Sequence, residues 1–268
     1  MAKTTAHRGL LFTKDRQLFT MEDGIWNMAS DNTKISSVAL AVIGDEVLLG
    51  EVKDRNIDII SREVFRLGSD LSYACVLPDD PEFMFEHLLW MKERFDWVVT
   101  TGGIGATHDD LTKQVVSRIT GKPLVEAPEA IQALENRIGS PLPERVRELA
   151  LVPEGAELIT NELTAAPGFI IENLMVLPGI PSLVESMVTA LETKLSGRPF
   201  HTGVILTMLR ESQVAQSLEY VQAKYPLVKI GSYPEMAASD HRVRLVLRSR
   251  DPDLLLEAKK LLQKRIEQ

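Results

Sequence analysis

The run Thr100-Thr101-Gly102-Gly103-Ile104-Gly105-Ala106-Thr107-His108-Asp109-Asp110-Leu111-Thr112 holds the residue types best suited to chemistry in this chain. Glycines at 102, 103 and 105 let a main chain approach a phosphate with no Cβ in the way. The apolar run 95–99 before it reads as a buried strand, and the apolar spacing of 111–119 after it reads as a helix. A strand, a glycine turn and a helix start together present free N–H groups and the positive end of a helix dipole to an anion. Asp109 and Asp110 then stand where a bare anion site would not want them, which points to a bridging cation or to proton chemistry. The expected ligand is a nucleotide or pterin phosphate handled with a metal. Both acids have a second reading, as caps of the helix that follows. His108 has a pKa near neutrality and could act as a base, but a solvent-facing loop histidine is the commoner outcome.

Other turns must bring partners to this loop. The run 37–43 is β-rich and apolar and ends at Gly44-Asp45-Glu46; helical spacing over 56–67 closes at Gly68. A second strand, 71–77, stops at Pro78-Asp79-Asp80-Pro81, with Pro81 placed to open a helix through Phe83, Leu88, Leu89 and Met91. Strands alternating with helices imply right-handed crossovers and a mainly parallel α/β sheet. Ligands of such sheets bind beyond the carboxyl ends of the strands, so the 44–46, 78–80 and 102–105 turns are expected to share one rim. Farther on, 127–139 and 143–149 read as short helices. The segments 168–172 and 174–177 read as a tight hairpin, closed by Pro178-Gly179-Ile180-Pro181 and a helix over 182–195. After a linker at 196–199, the order strand, helix, strand, strand, helix predicts a small α+β module. The expected division is an N-terminal extension or a poorly ordered or disordered arm over 1–36, a main domain over 37–197 and the small module over 198–268.

Composition narrows the function classes. The 268 residues are 44% hydrophobic and 25% charged, as in an ordinary globular protein, with a net charge of −8 that argues against a nucleic-acid coat. Arg242, Arg244, Arg248 and Arg250 alternate along a predicted strand and read as a solvated face. The single cysteine, Cys75, rules out an intrachain disulfide framework, fits a reducing cytoplasm and sits in an apolar run as a buried thiol. No apolar stretch approaches the ~20 residues that span a bilayer, and the first 36 residues carry no secretory apolar region.

The motifs in series are more specific than any one alone. Gly44-Asp45-Glu46, Asn56, Leu77-Pro78-Asp79-Asp80, Thr101 through Thr112, Ala166-Pro167-Gly168-Phe169 and Leu177-Pro178-Gly179-Ile180-Pro181 together resemble the molybdopterin-binding superfamily. Within it the chain is similar to the amino-terminal domain of competence/damage-inducible proteins and to the molybdopterin-binding-like domain of FAD synthases. Glu211-Ser212 and Ile230-Gly231-Ser232-Tyr233-Pro234 strengthen the second link. The resemblance covers about residues 37–250 and implies a three-layer fold. It further implies a pyrophosphatase acting on ADP-ribose or FAD with magnesium, cobalt or manganese, and with potassium. The alternatives are a molybdopterin adenylyltransferase-like protein of molybdenum cofactor biosynthesis, or a pterin- or nucleotide-binding module without turnover.

On that resemblance Asp110, Asp79 and Asp109 are the catalytic candidates, and Asp110, Asp79 and Asp45 the metal ligands, with Glu46 beside them. Gly102, Gly103, Gly105, Thr107, Thr112, Asn56, Pro178 and Gly179 would hold phosphate or nucleotide, with Pro181 completing the far wall. Two departures stand out. The adenylyltransferases usually carry Arg-Asp where this chain has Asp109-Asp110, and Ala106 replaces a common proline. The resemblance also implies a homo-oligomer, for which the helix through Phe83 and Met91 offers a surface.

Overall fold

The computed structural model describes residues 34–161, 163–235 and 240–267, together with three short strands nearer the N-terminus. Those strands, β1 (Leu10–Phe12), β2 (Leu18–Glu22) and β3 (Ile25–Met28), pair as an antiparallel sheet inside the expected extension, and the remainder of 1–33 lies outside the described residues. The chain divides into two compact units, 1–197 and 198–268.

In the large unit β4 (Ser37–Ile43) leads into a single-turn helix α1 (Asp45–Leu48), then α2 (Asn56–Arg66). β5 (Asp70–Leu77), α3 (Pro81–Arg94), β6 (Trp97–Thr101) and α4 (Thr112–Thr120) follow. A two-stranded pair, β7 (Leu124–Glu126) and β8 (Leu151–Pro153), brackets α5 (Pro128–Ile138) and α6 (Glu144–Arg147). Then come β9 (Glu157–Ile159), β10 (Gly168–Ile171), β11 (Leu174–Leu177) and α7 (Pro181–Met187). The main sheet has the order β5-β4-β6-β11-β10-β9, parallel across the first four strands and antiparallel from β11 outward. The Glu172-Asn173 turn that joins β10 to β11 requires a positive φ of 53° at Glu172.

Alternation along each strand divides the core in two, as a period of 2 demands of a sheet covered on both faces. Ala39, Ala41, Val98, Leu174 and Val176 pack with Met84, Leu88 and Met91 of α3, Val115 and Val116 of α4 and Leu134 of α5. Val38, Leu40, Val99, Met175 and Leu177 face Ile60 and Val64 of α2 and Val184 and Met187 of α7. The result is a three-layer α/β sandwich in which every residue of β4 is buried.

The small unit runs β12 (His201–Thr207), α8 (Glu211–Lys224), β13 (Lys229–Pro234), β14 (Val243–Ser249) and α9 (Pro252–Ile266). Its antiparallel sheet has the order β12-β14-β13. Ile205, Leu245 and Leu247 pack against Val214 and Val221 of α8 and Leu255, Ala258 and Leu262 of α9. Arg244, on the face expected to be solvated, pairs there with Glu235 and lies over the Tyr233 ring. Among the described residues no helix is long and apolar enough to cross a membrane.

Candidate functional site

Parallel pairing of β5, β4, β6 and β11 puts the turns after all four strands on one rim. These are the turns carrying Asp79, Asp45, Gly102 and Gly179. Asp45 and Asp79 meet directly: the Asp45 N–H donates to Asp79 Oδ2 at 2.9 Å, and the Asp79 N–H to Asp45 Oδ1 at 3.3 Å. Partial burial raises the Asp79 pKa above the ordinary carboxylate value. The Asp45 N–H opposes this, while the charges of Asp45, Glu46 and Asp109 reinforce it. Three turns distant in sequence therefore share one electrostatic neighbourhood. Capping falls to Asp80, not Asp79: Asp80 Oδ1 accepts from the Phe83 N–H at 2.8 Å, with Pro81 opening α3.

The glycine loop is held open by bonds the chain makes to itself. Gly102 has φ +99°, and a Cβ there would lie 2.2 Å from the Ile43 carbonyl oxygen. Gly103 has φ +66°, and its Cβ would lie 2.3 Å from Thr112 Oγ1. Both positions therefore demand glycine for packing as well as for backbone freedom. At Gly105 a Cβ would meet the Asp110 carboxylate at 2.4 Å. Thr112, fully buried, donates from Oγ1 to the Gly102 carbonyl at 2.9 Å and from its N–H to the Gly103 carbonyl at 2.9 Å. The Thr112 hydroxyl thus faces protein and braces the glycine loop.

Asp110 turns back on its own loop: Oδ2 accepts from the Thr107 N–H at 2.9 Å and from the Thr107 hydroxyl. Neither Asp109 nor Asp110 caps α4, whose N-cap position is Leu111 with no side-chain bond. Asp109 is exposed, and its carboxyl is held below the usual range chiefly by the neighbouring Thr107 hydroxyl. His108 faces solvent, with 94% of its side chain exposed. The N–H groups of Gly103, Ile104, Gly105 and Ala106 find no acceptor among the described residues. Four successive backbone donors therefore stand between the end of β6 and the start of α4.

On the other side of β6, Asn56 opens α2 and is buried. Its Nδ2 donates to the Gly179 carbonyl at 2.8 Å and to Thr101 Oγ1 at 3.3 Å. A Cβ on Gly179 would lie 3.3 Å from Gly102 Cα, so the 178–181 turn rests on the glycine loop. Asn56, Thr101, Gly179 and Pro181 line a pocket of about 60 Å³ with Val52 and Lys53. Pro178, the remaining candidate of this turn, directly precedes Gly179 and is half-buried.

The expected divalent cation finds no assembled ligand set. Among the described residues, no group of three or more His, Cys, Asp or Glu side chains could hold a metal ion. Asp45 and Asp79 each spend an oxygen on the other's N–H, and Asp110 spends one on Thr107. A metal coordinated by Asp110, Asp79 and Asp45 does not fit these side-chain positions.

One residue of the site gave no motif. Lys113 is 4% exposed, and its Nζ donates to the Glu148 carbonyl at 2.8 Å and the Leu149 carbonyl at 3.3 Å. Burial lowers its pKa from 10.5 to about 8, against the favourable charges of Asp110 and Glu148. Arg145 reaches the Ala106 carbonyl from the same 144–150 segment at 3.4 Å. The signal was present in the spacing, because Lys113 stands three residues before Val116 on the buried stripe of α4.

A model of the probable molybdopterin binding domain matches residues 39–196, and one of the FAD synthase middle domain matches residues 199–268. A protein of Archaeoglobus fulgidus is 32% identical over 193 residues, which are 72% of this chain and 83% of that protein. A Bacillus subtilis protein bearing the name competence-damage inducible is 31% identical over 232 residues, 80% of this chain and 54% of its own length. The chain thus spans about half the length of that relative. The solved structure of CinA from Thermoplasma acidophilum, titled as of unknown function, superposes with a TM-score of 0.56 at 24% identity. It covers 59% of this chain and 97% of its own, a likeness of fold. With 158 residues under one family model and the rim geometry that goes with it, the chain belongs to the molybdopterin-binding domain family.

Proposed function

We propose that this rim binds a phosphorylated pterin or a nucleotide, with the glycine loop taking the phosphate. We further propose that the chain catalyses adenylyl transfer of the molybdopterin adenylyltransferase kind. The observation that carries the reading is the run of four unengaged N–H donors from Gly103 to Ala106 at the end of β6. The loop that carries them is braced by bonds to its carbonyls and to Thr107, Thr112 to Gly102 and Gly103 and Thr107 to Asp110. In the reaction a pterin phosphate oxygen attacks the α-phosphorus of ATP. The new P–O bond forms, the α–β bridge breaks and pyrophosphate leaves. Fixed N–H dipoles favour such a step because charge on the phosphoryl oxygens grows without further reorganisation of the site. Magnesium enters this scheme as part of the ATP substrate.

Asp79 favours a second reading, hydrolysis of the diphosphate of ADP-ribose or FAD. Its raised pKa, among Asp45, Glu46 and Asp109, makes it a stronger base for orienting water than an ordinary carboxylate. Incubation of the purified chain separates the cases. Pyrophosphate released from ATP only when molybdopterin is present supports the transferase. AMP released from ADP-ribose or FAD, with magnesium, cobalt or manganese and with or without potassium, moves the assignment to the hydrolase. Retention of ligand with no product limits the role to binding, and no binding of any of them refutes the assignment of the loop.

A further inference from the structure

Asn56 leaves one end of its amide unused. Because the Gly179 carbonyl can only accept, the end of Asn56 that meets it must be the amino group. Oδ1 is therefore directed elsewhere, and this buried acceptor has no donor among the described residues. Asn56 itself is 4% exposed. Buried polar atoms without partners are few in folded proteins, and each calls for a physical reason.

The surroundings supply one. Asn56 lines the pocket of about 60 Å³, more than the ~10–15 Å³ that one water needs. That pocket shares Lys53, Asp54 and Arg55 with a groove of about 620 Å³ along the exposed side of α2. Asp54 is committed to α2, accepting from the Asn56 and Ile57 N–H groups at 3.1 and 3.0 Å. Lys53 and Arg55 are exposed and line both the pocket and the groove.

We infer that Asn56 Oδ1 accepts a hydrogen bond from a neutral O–H or N–H group of the bound ligand, a sugar hydroxyl or an exocyclic amine, and so determines specificity. The inference rests on the reading that the adjoining glycine loop holds the ligand's phosphate. Asn56 is coupled to that loop through Thr101 and through Gly179, which packs on Gly102. A site built to satisfy an acceptor discriminates against a ligand that lacks the donor, because the acceptor is then left buried and unpaired.

Calorimetric titration of the purified chain with four nucleotides tests this: AMP, purine riboside 5′-monophosphate (which lacks the amino group), 2′-deoxy-AMP and 3′-deoxy-AMP. In the wild type one analogue should bind about tenfold more weakly than AMP, the scale of one neutral hydrogen bond. Its identity tells amine from hydroxyl. In Asn56→Ala, AMP should fall to the level of that analogue, and the analogue should lose no more than the other nucleotides. Equal binding of all four nucleotides by the wild type overturns the inference, and that comparison needs no variant to fold. Discrimination that survives in Asn56→Ala overturns it as well, leaving the pocket to water. If neither inorganic phosphate nor AMP binds, the reading of the glycine loop fails and this inference falls with it. Phosphate binding without nucleotide discrimination strikes Asn56 alone.

Discussion

Thr112 makes the sharpest test of how the loop is held. Thr112→Val keeps the shape and β-branching of the side chain and removes only the hydroxyl that bonds Gly102 at 2.9 Å. Gly102 and Thr112 are both buried, so the carbonyl loses its partner with no water to replace it. Leaving a buried acceptor unpaired costs about 1–3 kcal/mol. In a domain of this size each kcal/mol moves the melting temperature by about 2–4 °C, so Thr112→Val should melt roughly 2–12 °C lower. Thr112→Ser keeps the bond and deletes one methyl group, a cost of about 1 kcal/mol. Phosphate affinity should follow the bond: weakened in the valine variant and near wild type in the serine variant. Thermal melts and phosphate titration of the three proteins decide the matter. If valine equals wild type, or if serine is the more damaging, Thr112 contributes packing alone and the hydrogen-bonded loop account is refuted.

Two pH responses follow from groups whose partners are in view. Lys113 has a pKa lowered from 10.5 to about 8, so between those values the unfolded chain binds more protons than the folded one. Its contribution to stability should therefore rise as the pH climbs from about 8 to 10.5, and Lys113→Met should abolish that rise in urea denaturation curves. His241 behaves oppositely. Its Nε2 lies 2.9 Å from Glu235 and its Nδ1 2.8 Å from Asp240, and these carboxylates raise its pKa above 6.5. The stabilisation is complete below the unfolded pKa and is lost as the pH rises through the folded one. His241→Gln should remove this loss, and an NMR titration of the imidazole should show the elevated midpoint.

Much of the architecture was legible in periodicity. The run 37–43 reads as a strand because its apolar residues are unbroken, and β4 proves buried on both faces. The hairpin at Glu172-Asn173 and the strand-helix-strand-strand-helix order of the small unit follow from local turn chemistry and spacing. The three-residue strands β7, β8 and β9 left no signal, because segments that short show no period and exist only through their partners. At the site the three turns were placed on one rim correctly, since parallel topology alone requires it. What the carboxylates do there was not readable. Asp80 rather than Asp79 caps α3, Asp110 folds back on Thr107, and Asp45 and Asp79 engage each other's backbone. Those choices depend on which N–H group lies nearest in space, and sequence spacing carries no such information.

The contrast between β4 and the loop beside it has a kinetic consequence. Amides of a strand paired on both sides and covered on both faces exchange with deuterium only when the whole unit opens. The amides of Gly103 to Ala106 have no acceptor among the described residues and should exchange far faster than those of β4. The chain thus carries its own reporter of occupancy: a bound anion would slow precisely those four protons and leave the central strand unchanged.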